Sequence, residues 1–262
     1  FERLHPSVQR RLWDMQWTQL REIQTKAIHH LLDLRGDCII SAPTAGGKTE
    51  AAFLPILSLS ADDYQNGVRA MYVGPLKALI NDQFRRIEAL CARMEMPVHR
   101  WHGDVGEGDR KRLLTKPSGV LLITPESLEA MFVLRPTKIP YIFDQLAFLV
   151  IDELHAFIGT ERGAQLQSQI ARLTTRTKCD PVRIGLSATL GNPQFASHWL
   201  RPGGEPATLL EDTTSTRELM IRVRGFWEDS KEPALDQGNN SEEHQSSTAF
   251  STIARSMLMA IH

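Results

Sequence analysis

Ser41-Ala42-Pro43-Thr44-Ala45-Gly46-Gly47-Lys48-Thr49, running on into Glu50-Ala51-Ala52-Phe53-Leu54, is the stretch that decides how this chain folds. Asp37-Cys38-Ile39-Ile40-Ser41 just before it is a short apolar run of strand type, and good helix formers come after it. A strand, a loop of small residues and then Gly-Lys-Thr at a helix start is the context a phosphate-binding loop requires. Backbone N–H groups of Thr44, Ala45, Gly46 and Gly47 can wrap phosphates there, and the helix N-terminus adds a favourable dipole. Lys48 then falls on the β- and γ-phosphates of a nucleotide and the Thr49 hydroxyl on Mg²⁺. The strict pattern wants Gly where Ala42 stands, so the loop alone competes with a plain strand-to-helix turn.

Outward from the loop, short apolar runs alternate with longer amphipathic stretches. Strands are predicted over 37–41, 69–74, 119–124, 146–152 and 182–187, with another before Trp101. Helices are predicted near 21–34, 47–60, 76–95, 125–133 and 160–177, where apolar residues recur every three or four positions. The strand runs are apolar on both alternating faces, which fits a parallel sheet covered by helices on each side. The predicted class is α/β and doubly wound, with ligands bound at the carboxyl ends of the strands.

Composition narrows the function. The 262 residues are 42% hydrophobic and 23% charged, ordinary for a globular protein. Thirty Lys+Arg against 31 Asp+Glu leave a net charge of -1, so any nucleic-acid contact must be local rather than global. Cys38, Cys91 and Cys179 are too few and too scattered for a disulfide framework or a metal site, and are expected to be reduced and mostly buried. No apolar run reaches the roughly 20 residues that span a bilayer, and Phe1 to Arg10 lack a secretory pattern, so a cytoplasmic setting without a membrane partner is expected unless a targeting segment was removed before Phe1. Residues 225–248 are polar and rich in turn formers, predicting a linker between a domain over 1–224 and the start of a second domain over 249–262.

The run ending in Val150-Ile151-Asp152-Glu153-Leu154-His155 places adjacent carboxylates at the end of a buried strand. Desolvating them is costly unless a cation or proton chemistry uses them. Asp152 is suited to hold Mg²⁺ through water and Glu153 to polarise an attacking water, with His155 beside them. Val182 to Thr189 is a further strand ending in Ser187-Ala188-Thr189, whose hydroxyls can reach His155 and Asp152 if the two strands are neighbours.

With Gly47-Lys48-Thr49, Asp152-Glu153-Leu154-His155 and Ser187-Ala188-Thr189 in that order, the sequence resembles the superfamily 2 helicases of DExH type, whose motifs I, II and III these are. Gln24, with Trp17 in an aromatic slot, is similar to the adenine-recognising Q motif. Val73-Gly74-Pro75-Leu76-Lys77-Ala78-Leu79-Ile80-Asn81-Asp82-Gln83 resembles motif Ia, and Ile123-Thr124-Pro125-Glu126-Ser127-Leu128 resembles motif Ib. The wording of the segments 44–55 and 75–83 is similar to the Lhr-like branch. Many relatives carry Gly where Ala45 stands, and DEAD-box relatives carry Pro and Thr where Leu20 and Arg21 stand.

The resemblance implies a RecA-like first motor domain over 1–224 that binds ATP and Mg²⁺, with 249–262 opening a second RecA-like domain. It implies roles for Lys48, Asp152, Glu153 and His155 in hydrolysis, for Trp17, Gln24 and residues 44–49 in nucleotide binding, and for Ser187 and Thr189 in coupling. It also implies that Pro75, Leu76, Lys77, Thr124, Pro125 and Glu126 line a groove for single-stranded DNA or RNA, where helix N-termini hold phosphates without reading bases. Hydrolysis in the family is completed by an arginine of the second RecA-like domain, so the chain alone is expected to turn over weakly. Two rivals are a double-strand DNA translocase subunit of a restriction or phage-defence system, and a nucleotide-regulated binding module that never turns over. Trp101-His102-Gly103-Asp104 is either a stacking surface or a packed Trp with a turn. His29, His30, Asp62, Asp63, Glu242 and Glu243 are read as solvated.

Overall fold

The computed structural model describes residues 1–212; the predicted linker 225–248, the start of a second domain at 249–262 and Glu242 and Glu243 lie outside the described residues. Seven strands form one sheet: β1 (Cys38–Ser41), β2 (Gly67–Val73), β3 (Val98–Trp101), β4 (Ser118–Ile123), β5 (Phe148–Ile151), β6 (Val182–Ser187) and β7 (Thr208–Glu211). Their order is β3-β4-β2-β5-β6-β1-β7, and every neighbouring pair is parallel. All carboxyl ends therefore share one rim.

The helices are α1 (Pro6–Asp14), α2 (Glu22–Leu32), α3 (Lys48–Ser60), α4 (Lys77–Cys91), α5 (Glu107–Thr115), α6 (Pro125–Leu134), α7 (Lys138–Phe143), α8 (Glu161–Thr177) and α9 (Pro193–Leu200). Alternation along the strands builds two cores. Cys38, Ile40, Val120, Leu122, Phe148, Val150, Ile184 and Leu186 pack with α1 to α4, whereas Ile39, Leu121, Ile123, Leu149 and Ile151 pack with α5 to α9. This is the two-sided burial that makes parallel strands read as continuous apolar runs.

Strand β2 departs from simple alternation. Val68 pairs with Gly119 and Ala70 with Val120, so Arg69 is an extra residue. The bulge reverses the facing of the later β2 residues and turns Tyr72 toward the α1 to α4 side.

The predicted strands are found, and the five predicted helices agree within a few residues except that α4 ends at Cys91. Four helices and β7 are not foreshadowed. The helices α1, α5, α7 and α9 have six to nine residues, too few for a strong periodic signal. Cys38 and Cys91 are buried and Cys179 is half-buried, all as free thiols. His29, Asp62 and Asp63 are exposed, but His30 is not solvated: it is buried, with Nε2 3.1 Å from the Gly36 carbonyl. No helix among the described residues is long and apolar enough to cross a membrane.

Candidate active site

The loop after β1 folds on itself through a hydrogen bond from Gly46 N to Pro43 O, 2.8 Å. A Cβ on Gly46 would lie 2.7 Å from that carbonyl, and one on Gly47 would lie 2.6 Å from Gln24 Nε2. Gly47 is left-handed at φ +83°, and so is Ala45 at +61°. The first amide bonded back within α3 is that of Ala51, to Gly47 O at 2.9 Å, and no side chain caps the helix. The amides of Lys48, Thr49 and Glu50 are thus left for an external acceptor. Lys48 Nζ donates to Ala42 O at 2.8 Å and Pro43 O at 3.2 Å. Burial holds its pKa below the usual lysine value, against the opposing pull of the Glu153 and Asp152 charges.

The carboxylates stand two strands away on the same rim. Asp152 is buried, and both of its oxygens accept hydrogen bonds: Oδ1 from Glu153 N at 2.9 Å and Oδ2 from the Tyr72 hydroxyl. Burial, then the Asp152 charge, raises the Tyr72 phenol well above its ordinary pKa, so it remains a donor. Glu153 sits at φ +48° at the start of a 3-10 turn, Leu154–Ala156. Its Oε2 is buried, accepts no hydrogen bond among the described residues, and lies 3.5 Å from His155 Nδ1.

Strand β6 runs between β5 and β1, and its last residue touches both sides. Ser187 O accepts from Ala42 N at 3.3 Å, while Ser187 Oγ lies 3.1 Å from His155 Nδ1. Gly185 makes room for this, because a Cβ there would meet Leu154 Cδ2 at 2.7 Å. One part of the sequence expectation is corrected. Ser187 reaches His155, but its own hydroxyl donates to Thr189 O, and the hydroxyl on Asp152 is that of Tyr72 in β2.

Among the described residues no cluster of three or more His, Cys, Asp or Glu is arranged to hold a metal. The donor set fits Mg²⁺ none the less, since that ion commonly takes one or two carboxylates and fills its other positions with water and substrate phosphates. Asp152 and Thr49 are the oxygen donors of that type, and the unpartnered Glu153 Oε2 suits a water.

Beside the loop lies a cavity of about 230 Å³ lined by Trp17, Gln19, Arg21, Gln24, Glu50 and Arg86 together with Ala45 and Gly47. Gln24 is buried, its Oε1 accepting from Arg21 N at 2.9 Å. The Arg21 guanidinium donates to Ala45 O, and Arg86 pairs with Glu50 at 2.5 Å. Trp17 is half-buried at the edge. Neither arginine is signalled by its sequence context.

The remaining predicted residues come after β2, β3 and β4 along the other half of the rim. Pro75 is buried and its carbonyl accepts from Arg162 at 2.6 Å; Leu76 is exposed. Lys77 opens α4 and its Nζ is held by Asp104 Oδ1 and Oδ2 at 3.0 and 3.2 Å. Thr124 is buried as the N-cap of α6, with Oγ1 accepting from Ser127 N and donating to Ser127 Oγ. Pro125 is buried, and Glu126 is gripped by Arg162 at 2.6 and 3.0 Å. Trp101 is a packed residue, buried at the end of β3 with Arg110 over its ring.

A parallel sheet with a phosphate loop and a carboxylate pair meeting on one rim defines a P-loop nucleotide-binding domain. The model of the DEAD/DEAH box helicases matches residues 21–196, and the chain belongs to that family. It is 30% identical over 243 residues to the Lhr helicase/probable uracil glycosylase of Mycolicibacterium smegmatis, covering 83% of this chain and 16% of that protein. It is 32% identical over 241 residues to the ATP-dependent helicase Lhr-Core of Methanothermobacter thermautotrophicus, covering 83% and 27%. The chain thus spans about a sixth to a quarter of these relatives. Mycobacterium smegmatis helicase Lhr bound to ssDNA and AMP-PNP superposes with a TM-score of 0.69 at 28% identity, over 80% of this chain and 28% of that one. The DUF1998 helicase MrfA bound to DNA gives 0.70 at 26%, over 81% and 30%. The RecA-like fold and Lhr-like character implied by the motifs are those of this chain.

Proposed function

We propose that this chain is the ATP-binding motor half of a helicase or translocase that moves along one strand of DNA or RNA. The observation that carries the proposal is the position of Ser187, whose backbone holds the phosphate loop at Ala42 and whose side chain lies against His155. In this reading the lysine loop and the acidic pair face one space, which the pull of the Glu153 and Asp152 charges on Lys48 supports. Here the loop 44–49 surrounds the triphosphate, the amides at the start of α3 donate to it, and Lys48 leaves its two loop carbonyls for the β- and γ-phosphates. Gln24 and Trp17 receive the adenine. Asp152 and Thr49 would hold Mg²⁺, which when bound neutralises charge on the phosphates. Glu153, whose Oε2 accepts no hydrogen bond among the described residues, orients the attacking water and accepts its proton, and His155 with Ser187 and Thr189 links that event to β6.

The strand lies across the other half of the rim, at Pro75, Leu76, Lys77, Thr124, Pro125 and Glu126, held by the N-termini of α4 and α6. Since Thr124 and Glu126 are engaged within the protein and Lys77 is paired with the exposed Asp104, the phosphate contacts in this reading are the first amides of α4 and a Lys77 that exchanges Asp104 for phosphate. A second RecA-like domain supplies the arginine that completes hydrolysis, and a cytoplasmic setting accords with these substrates. ATP hydrolysis by the full protein, measured with and without oligo(dT), tests the reading. Lys48→Ala and Glu153→Gln should each lower stimulated turnover by about 100-fold or more, and unchanged rates would overturn the assigned roles. Strong stimulated turnover by residues 1–262 alone would overturn the need for the second domain.

A further inference from the structure

Helix α8 begins only nine residues beyond Asp152, and the segment between them is braced at each step. Phe157 N and Ile158 N both donate to Leu154 O, at 3.1 and 3.3 Å. The Phe157 carbonyl accepts from Thr160 N at 3.2 Å and Thr160 Oγ1 at 2.9 Å. It also lies against Gly163, where a Cβ would fall 1.8 Å from the oxygen, so no side chain can separate the helix from the turn. Between Glu161 and Gly163 stands Arg162, its guanidinium 5.6 Å from the centre of the fully buried Phe157 ring.

The same guanidinium holds two segments at once. Nη2 donates to Pro75 O at 2.6 Å, immediately before Leu76-Lys77, and Nε and Nη2 take the two oxygens of Glu126 in the first turn of α6. Two turns along α8, the fully buried Gln169 donates to Pro125 O at 2.9 Å, and Arg172 pairs with Glu129. One helix, rooted in the turn that carries Glu153 and His155, thus grips the starts of both helices assigned to strand binding.

We propose that Arg162 is a positioning residue that couples nucleotide state to strand affinity, by tying the turn after Asp152-Glu153 to the α4 and α6 N-termini. The inference rests on the strand-binding reading above. A displacement of the turn cannot leave Arg162 in place, because Phe157 and Gly163 are in contact. Nor can Arg162 move without releasing or dragging Pro75 and Glu126. Its planar fork is what allows a carbonyl and a carboxylate to be held together, which a lysine ammonium does not reproduce.

Coupling of this kind is reciprocal and can be measured at equilibrium. In the full protein, oligo(dT) affinity is measured with and without AMP-PNP, and AMP-PNP affinity with and without oligo(dT). Wild type is expected to show mutual enhancement of about tenfold. Arg162→Ala and Arg162→Lys should reduce it to about twofold or less, each binary affinity remaining within about threefold of wild type. Undiminished enhancement in these variants overturns the inference, as does an equal loss of oligo(dT) affinity in both nucleotide states. Should Arg162→Ala fail to fold, Arg162→Lys decides by the same measurement. Absence of oligo(dT) binding by wild type would instead sink the strand-binding reading, and is thereby distinguished.

Discussion

Ala45 sits in the left-handed region at φ +61°, a conformation that favours Gly. A Cβ in the left-handed region costs roughly 1 kcal/mol, which the loop bears so that its amides converge. Ala45→Gly should therefore be neutral to stabilising, by up to about 1 kcal/mol, with nucleotide affinity retained; a fall in the melting temperature would count against the strain. Glu153, at φ +48°, carries comparable strain at the candidate general base. That Lys48 opens a helix after β1 and that Asp152 and Glu153 follow a buried strand was legible in the sequence, because the flanking apolar runs announce both strands. Tyr72 was not, for an interior aromatic in an apolar strand looks the same whether or not its hydroxyl serves a carboxylate 80 positions away.

At the scale of elements, β3 carries a group no motif announces. His99 is buried, and burial together with the Arg112 charge, opposed by Asp109, pushes its pKa down to about 4. The folded chain thus keeps His99 neutral to about pH 4, whereas an unfolded imidazole takes a proton near 6.5. Between those values the unfolded state binds more protons, so this contribution is present above pH 6.5 and is lost as pH falls toward 4, by on the order of 3 kcal/mol. Urea midpoints tracked from pH 7 to 4.5 should fall more steeply for wild type than for His99→Gln, and parallel curves would show that His99 does not titrate in this way. Of the elements themselves, α2, α3, α4, α6 and α8 were legible through their periodic apolar faces. The short α1, α5, α7 and α9 were not, since helices of so few residues depend on docking against the rest of the fold.

Across the sheet the strand order divides the rim, with β1, β5 and β6 behind the proposed nucleotide site and β2, β3 and β4 behind the proposed strand face. With a net charge of -1 over these 262 residues this chain has no net attraction to nucleic acid, so its phosphate contacts are local. In the proposed strand face, Lys77→Ala should reduce the logarithmic salt slope of oligo(dT) affinity by about 0.7. An unaltered slope would remove Lys77 from the strand face. By itself the sequence determined the α/β class and the order of the motifs along the chain, because local pattern and residue type carry that information. Only the tertiary structure decided that β6 lies between β5 and β1, that Tyr72 meets Asp152, and that Arg162 holds Pro75 and Glu126. Those contacts join residues tens of positions apart, and they come into being when strand order and a one-residue bulge in β2 bring them to the same edge.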